Sequence, residues 1–283
     1  MHPSCTPVRI EEKDWGQLMI LMFGDIHGDF RHVLPAVAQH RPKAIILLGD
    51  IEAGRPLERE LEEVMKLTEV WWIQGNHDTD TVENWRNLFQ SQLADRNLHG
   101  RVFEIDGVRV AGLGGVFRGE VWYPDPADAP FNYESYEDYK KRAEPGRIVT
   151  ARQAREARKF TDVSCLGKSP HGTPAGKLLT HRSTIFYKDW FELYGRSADI
   201  LVTHEAPGCH PHGFQVLTEL ARSMKVKFSF HGHHHDCLNY SDSFAEMGHR
   251  AYGVGLRGIT DMYGGQIRVG AYGEQRVSRV VKD

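Results

Sequence analysis

Apolar residues in this chain come in short unbroken runs that stop abruptly on polar ones. Ala44 to Leu48 carries no helical period and ends at Gly49-Asp50. Such a run reads as a buried strand of a mostly parallel sheet, with Asp50 pushed out at its C-terminal end. The device recurs. Leu18 to Phe23 runs into Gly24-Asp25-Ile26-His27-Gly28, and Val70 to Gln74 into Gly75-Asn76-His77-Asp78. Ile200 to Thr203 runs into His204-Glu205, and Lys227 to Phe230 into His231-Gly232-His233-His234-His235. Each time the apolar run ends, oxygen or imidazole donors appear at once.

Between the first runs the pattern turns helical. Phe30 to His40 predicts a helix stopped by Pro42, and Pro56 to Leu67 one with Pro in its first turn and Glu-rich amphipathic spacing. A third helix, about 81–93, is expected to start behind Thr79-Asp80. This βαβαβα order implies a parallel sheet. Arg101 to Ile105 and Val108 to Leu113 flank Asp106-Gly107, a two-residue hairpin signal. Residues 118–190 have no strand period and are aromatic and charged, so they read as an insertion covering the sheet ends. Within it, Thr150-x-x-Gln153 is a capping box opening a helix. Arg152, Arg155 and Lys159 share one face of that helix, read first as a solvated face; the basic neighbourhood, with Lys140, Lys141, Arg142 and Arg147, leaves a nucleic-acid or polyphosphate contact as the alternative. The sheet is expected to resume with strand 200–203, a helix near 213–224 and strand 227–230, followed by short strands at 251–255 and 266–269. Over 283 residues this suits one α/β domain with the insertion 118–190 inside it.

Composition changes this picture little. The formal charge of −3 gives no global attraction to nucleic acid or membranes. Cys5, Cys165, Cys209 and Cys237 show no Cys-x-x-Cys spacing, so neither a zinc knuckle nor a disulfide framework is indicated. The apolar run at 18–23, preceded by Glu11, Glu12, Lys13 and Asp14, is too short for a signal-peptide core or a membrane span, and a cytoplasmic protein is expected. The count of sixteen His matters because many of them cluster at the strand ends.

In open α/β sheets ligands bind beyond the carboxyl ends of the strands. Several strand ends aimed at one crevice would gather Asp, Asn and His into a large metal site, where the central Asp50 could bridge two ions. Two ions about 3.5–4 Å apart suit phosphoryl chemistry, because they clamp phosphate oxygens and make hydroxide available near neutral pH. Mixed oxygen and nitrogen donors point to Mn, Fe, Zn, Ni or Co rather than Ca or Mg. A His not consumed as a ligand could protonate the leaving oxygen.

The motifs Gly24-Asp25-Ile26-His27-Gly28, Gly49-Asp50, Gly75-Asn76-His77-Asp78, Thr203-His204 and Gly232-His233-His234-His235 together resemble the calcineurin-like metallophosphoesterase family, in the family's order and across residues 24–235. The resemblance implies a four-layer α/β/β/α sandwich and two divalent ions, Mn2+ or an Fe/Mn pair first. It implies Asp25, His27 and His235 on one ion, Asn76, His204 and His233 on the other, and Asp50 between them. It further implies His77 as general acid and Asn76 as a residue that also orients the phosphate. His231 and His234 are read as bystanders.

The protein-phosphatase branch carries an Asp-Arg pair shortly after the second motif, where this chain has Ala53 and Gly54. That leaves the orienter of His77 to Asp78 or Glu52, and it favours a phosphodiester or nucleotide substrate. The alternatives are a phosphomonoesterase, including a protein phosphatase, and a non-catalytic metal-binding scaffold. Arg118, Trp122 and Tyr123 follow a strand end directly and are the expected substrate contacts.

Overall fold

The structure, a computed structural model, describes residues 19–142 and 176–273. The expectations for 1–17, for the helix at Thr150 with Arg152, Arg155 and Lys159, and for Arg147, Cys5 and Cys165 lie outside these residues.

The described strands are β1 (Ile20–Phe23), β2 (Ala44–Leu47), β3 (Glu69–Trp72), β4 (Arg101–Ile105), β5 (Val108–Leu113), β6 (Ile200–Thr203), β7 (Phe228–His231), β8 (Arg250–Gly253), β9 (Ile259–Asp261) and β10 (Gln266–Arg268). They form two five-stranded sheets, ordered β10-β9-β1-β2-β3 and β4-β5-β6-β7-β8. The chain therefore does not resume its first sheet after the hairpin. β5 pairs with β4 on one side and runs parallel to β6 on the other, which starts a second sheet. The hairpin turns where expected, with Asp106 at φ 48° and Gly107 at φ 83°, the two left-handed positions of a two-residue loop.

Alternate residues of each strand build different layers. Leu21, Phe23, Ile45 and Leu47 face the helices α1 (Val33–His40), α2 (Leu57–Glu60), α3 (Glu62–Met65) and α4 (Val82–Phe89). Their neighbours Ile20, Met22, Ala44 and Ile46 meet Val108, Val110, Ile200, Val202, Phe228 and Phe230 of the second sheet. Both faces are buried, so these strands read as continuous apolar runs without alternation. Beyond the second sheet, Ala111, Leu113 and Leu201 pack under the insertion and its flank. The insertion contributes α5 (Tyr136–Arg142), α6 (Gly176–Thr180) and α7 (Tyr187–Leu193), and α8 (Gln215–Met224) follows β6. A further one-turn helix, α9 (Phe244–Met247), precedes β8. The result is the α/β/β/α sandwich.

Local differences from the sequence reading have physical causes. The helix expected over 56–67 breaks at Leu61, whose φ of −111° separates two single turns. The third helix is capped by Thr81, whose hydroxyl accepts from the Asn84 amide at 3.0 Å, and it ends at Phe89. Thr79 instead belongs to a 3-10 turn, His77–Thr79. β9 has no counterpart in the sequence pattern, since three residues give no countable period. It pairs antiparallel with β1 and makes the first sheet mixed.

Two glycines let the strand ends converge. A side chain on Gly49, at φ +99°, would meet the His204 ring and the Gly75 backbone, and one on Gly75 would meet Asp50 and His204.

Candidate metal centre

The C-terminal ends of β1, β2 and β3 in one sheet and of β6 and β7 in the other meet in a single crevice. Two groups of potential ligand atoms form there, each with its atoms within 4.8 Å of one another: His27, Asp50 and His235, and Asp50, His204 and His233. Asp50 belongs to both. Asp25 and Asn76 complete the surroundings. The Asp25 carboxylate accepts from the His233 amide at 2.9 Å and lies 3.8 Å from His204 Nδ1. Asn76 Oδ1 is 3.3 Å from His204 Nε2.

Several features fit these atoms to cations. Asp25 Oδ2 is buried and has no hydrogen-bond partner among the described residues, a cost that a bound cation would remove. His27 Nε2 and His235 Nε2 face each other at 3.0 Å. His204 Nδ1 lies 2.8 Å from the Leu48 carbonyl, which can only accept, so Nδ1 carries a proton and Nε2 looks toward Asp50 Oδ2 at 3.4 Å. His27 Nδ1 is likewise committed to the Glu52 carboxylate. A carboxylate or carbonyl behind the imidazole is how metal-binding histidines are oriented.

The backbone is strained here. His27, Asp50, Glu52, His233 and His235 all have φ between 45° and 68°. This left-handed region costs a non-glycine residue about 1–2 kcal/mol, and such outliers cluster at functional sites. Burial works against charge on both central carboxylates. At Asp25 it prevails and raises the pKa; at Asp50 the pull of His204 outweighs it and the pKa is lowered. His204 is itself raised to about 10, burial being overcome by Asp50 and Asp25.

His77 stands beside the ligand groups, its ring centre 5.4 Å from that of His27 and its amide donating to Asp50 Oδ1 at 2.8 Å. Its Nδ1 is 2.8 Å from Asp80 Oδ2, and this hydrogen bond, against burial, pushes the imidazole up to about 9. The carboxylate on the ring is thus Asp80, not Asp78 or Glu52. Asp78 accepts from the amides of Ile51, Glu52 and Gly75, each at 2.8 Å, and so ties the second motif to the third. Glu52 serves His27. The sequence marks Asp80 only as a helix-start signal, although its spacing of three from His77 closes on a single turn and is a usable signal for this contact. Glu205, one of the strand-end donors with no role assigned from the sequence, places its carboxylate 3.7 Å from His233 Nε2.

His231 and His234 stay out of both ligand groups. His231 contacts the Tyr240 hydroxyl at 3.0 Å, and the His234 ring stacks on His210 at 3.9 Å. Of the three expected substrate contacts, Trp122 is a core residue, 3 % exposed, with its indole N–H donating to the Ala129 carbonyl. It offers no face to a substrate. Tyr123 is half-exposed against Phe214. Arg118 is partly buried and hydrogen-bonds to Ser183 and Thr184.

The family model for calcineurin-like phosphoesterases matches residues 18–237. An uncharacterized protein of Haemophilus influenzae is 35 % identical over 246 residues, covering 87 % of this chain and 95 % of that protein. The crystal structure of TT1561 of Thermus thermophilus aligns with 87 % of this chain and 95 % of its own, at 14 % identity and a TM-score of 0.46. The family match spans the strand ends that carry every ligand candidate, and the chain belongs to the calcineurin-like phosphoesterase family, whose members are metal-dependent hydrolases of phosphate esters.

Proposed function

We propose that the crevice is a dinuclear phosphoesterase centre that prefers a phosphodiester or nucleotide substrate. The observation that carries this reading is the pair of ligand groups sharing Asp50. Asp25, His27 and His235 would hold one ion and Asn76, His204 and His233 the other, with Asp50, common to both groups, shared between them. Manganese is the first metal to test. When bound, such a pair supplies Lewis acidity to the phosphoryl oxygens and a hydroxide near neutral pH.

The chain's own residues do the rest. Asn76 orients a phosphate oxygen through its amide. His77 is the general acid. Asp80 accepts from Nδ1 and holds the ring, so the proton on Nε2 is the one delivered to the departing oxygen. The diester preference rests on Ala53 and Gly54, which put neither a carboxylate nor a guanidinium beside Asp50. A second reading, phosphomonoester hydrolysis, draws support from Arg118, which brings a cation to the crevice from another direction.

The test is hydrolysis of bis-p-nitrophenyl phosphate and p-nitrophenyl phosphate after chelation and reconstitution with Mn2+, with metal content measured alongside. Faster diester cleavage supports the preferred reading, and faster monoester cleavage the second. Two bound ions with turnover of neither ester would refute both.

A further inference from the structure

We infer that Arg118 is the cation that grips the substrate's phosphoryl group, and that the insertion holds it in place for that purpose. The inference rests on reading the crevice as a phosphoesterase centre. Arg118 follows the end of β5, next to β6 and its His204. The loop is pinned to the third motif, because the Gly115 amide donates to the Gln74 carbonyl at 2.6 Å. The guanidinium donates from one Nη to the Ser183 carbonyl and the Thr184 hydroxyl, both at 2.9 Å, and from the other to the Ser183 hydroxyl at 3.4 Å. All these acceptors are neutral. Among the described residues Arg118 forms no ion pair, so its charge is not consumed by a carboxylate. A guanidinium has five N–H donors, and two remain for a ligand once these three bonds are made.

Its position relative to the chemistry is fixed by a second link. The Ser183 hydroxyl that accepts from Arg118 also lies 2.6 Å from the Thr79 hydroxyl. Thr79 is on the same 3-10 turn as His77. Arg118 is therefore tied through one serine to the turn carrying the general acid. The carboxylates that reach it electrostatically are Glu205, Asp80 and Asp50, all lining the crevice; burial nonetheless lowers Arg118 to about 10, still fully protonated at neutral pH. A planar fork with two free donors at the rim of a phosphoryl site suits two oxygens of one phosphate.

The experiment uses metal-reconstituted full-length protein and inorganic phosphate as the probe. Phosphate affinity is measured by titration calorimetry and by competitive inhibition of bis-p-nitrophenyl phosphate hydrolysis. Metal content and melting temperature are followed in parallel. Arg118→Gln keeps amide donors for Ser183 and Thr184 but removes the charge, and its phosphate dissociation constant is expected to rise about ten- to a hundredfold with both ions retained. Arg118→Lys restores a point charge and should recover part of the loss. A glutamine variant that binds phosphate as tightly as the parent, or a lysine variant no better than glutamine, overturns the assignment. If Arg118→Gln does not fold, the pair Ser183→Ala and Thr184→Val carries the test, with a smaller rise expected and an unchanged affinity again overturning it. A parent protein that holds two ions yet neither binds phosphate nor cleaves an ester would instead sink the phosphoesterase reading, and this inference with it.

Discussion

Replacing Asp80 by Asn isolates the proton delivery proposed for His77. Asp80 Oδ2 sits 2.8 Å from His77 Nδ1, and both side chains are close to half exposed. That exposure makes the pair a weak contributor to folding, about 1 kcal/mol or less, so Asp80→Asn should melt near the parent temperature. The effect falls on the imidazole. The hydrogen bond to Asp80 outweighs burial and, with help from Asp50, pushes His77 up to about 9 from its ordinary 6.5. A raised value means that the proton is kept until the pH passes it. Removing Asp80 moves the loss of that proton downward, so the alkaline limb of activity shifts to lower pH. A hydrogen bond to a charged group is worth about 1.5–3 kcal/mol. Discounted by about half for exposure, it leaves roughly a tenfold fall in turnover at mildly alkaline pH. The fall should be confined to esters whose leaving group needs a proton. The assay is kcat/KM for a series from p-nitrophenyl to alkyl leaving groups across the neutral and alkaline range. Equal losses on nitrophenyl and alkyl esters, or an alkaline limb that does not move, would refute the reasoning.

Other outcomes follow from the same contacts. Glu52→Ala frees the His27 ring and should weaken metal retention about ten- to a hundredfold, read by competition with a chelator, while the fold is kept. Trp122→Ala empties a buried aromatic site against Phe117, Tyr187 and Trp190 and should cost about 3–5 kcal/mol in denaturant unfolding; Trp122→Phe should restore most of it, with phosphate affinity unchanged. His32, His181 and His249 are buried, which pushes each down to about 4 from the ordinary 6.5. The unfolded chain therefore binds the extra protons between these values, and stability is complete above the upper one and falls as pH drops toward the lower. An unfolding midpoint that is flat across that window would contradict their neutral burial.

The ligand candidates were legible because buried parallel strands leave a plain mark. Ile45 and Leu47 face helices while Ala44 and Ile46 face the other sheet, so the apolar run is unbroken and its end is sharp. Whatever follows is placed in the crevice by topology, and Asp50, His204 and His233 need no further signal. The residues behind the ligand candidates left no such mark. Glu52 reaches His27 across 25 positions, and Glu205 reaches His233 across the gap between two strands, both through contacts that exist only after folding. The division into two sheets was likewise invisible strand by strand, since an apolar run such as β3 or β6 reads the same whichever neighbour it takes. Trp122 was misplaced for a related reason: proximity to a strand end says where the backbone is, not which way the ring turns, and the hydrophobic effect turned it inward.

The insertion shows how these two kinds of information combine. Its packing is set by apolar bulk, with Phe186, Ile185 and Leu178 buried against the second sheet. That packing delivers Ser183 to a point where its hydroxyl meets Thr79 and its carbonyl meets Arg118. One serine thus joins the aromatic layer to both the turn of His77 and the guanidinium. None of the ligand atoms takes part. Changes confined to Ser183, Thr184 or the packing beneath them should accordingly alter phosphate grip and leaving-group dependence while leaving metal retention as it was. Changes at Glu52 should do the reverse, and measuring both quantities on both sets of variants separates substrate positioning from metal binding in this fold.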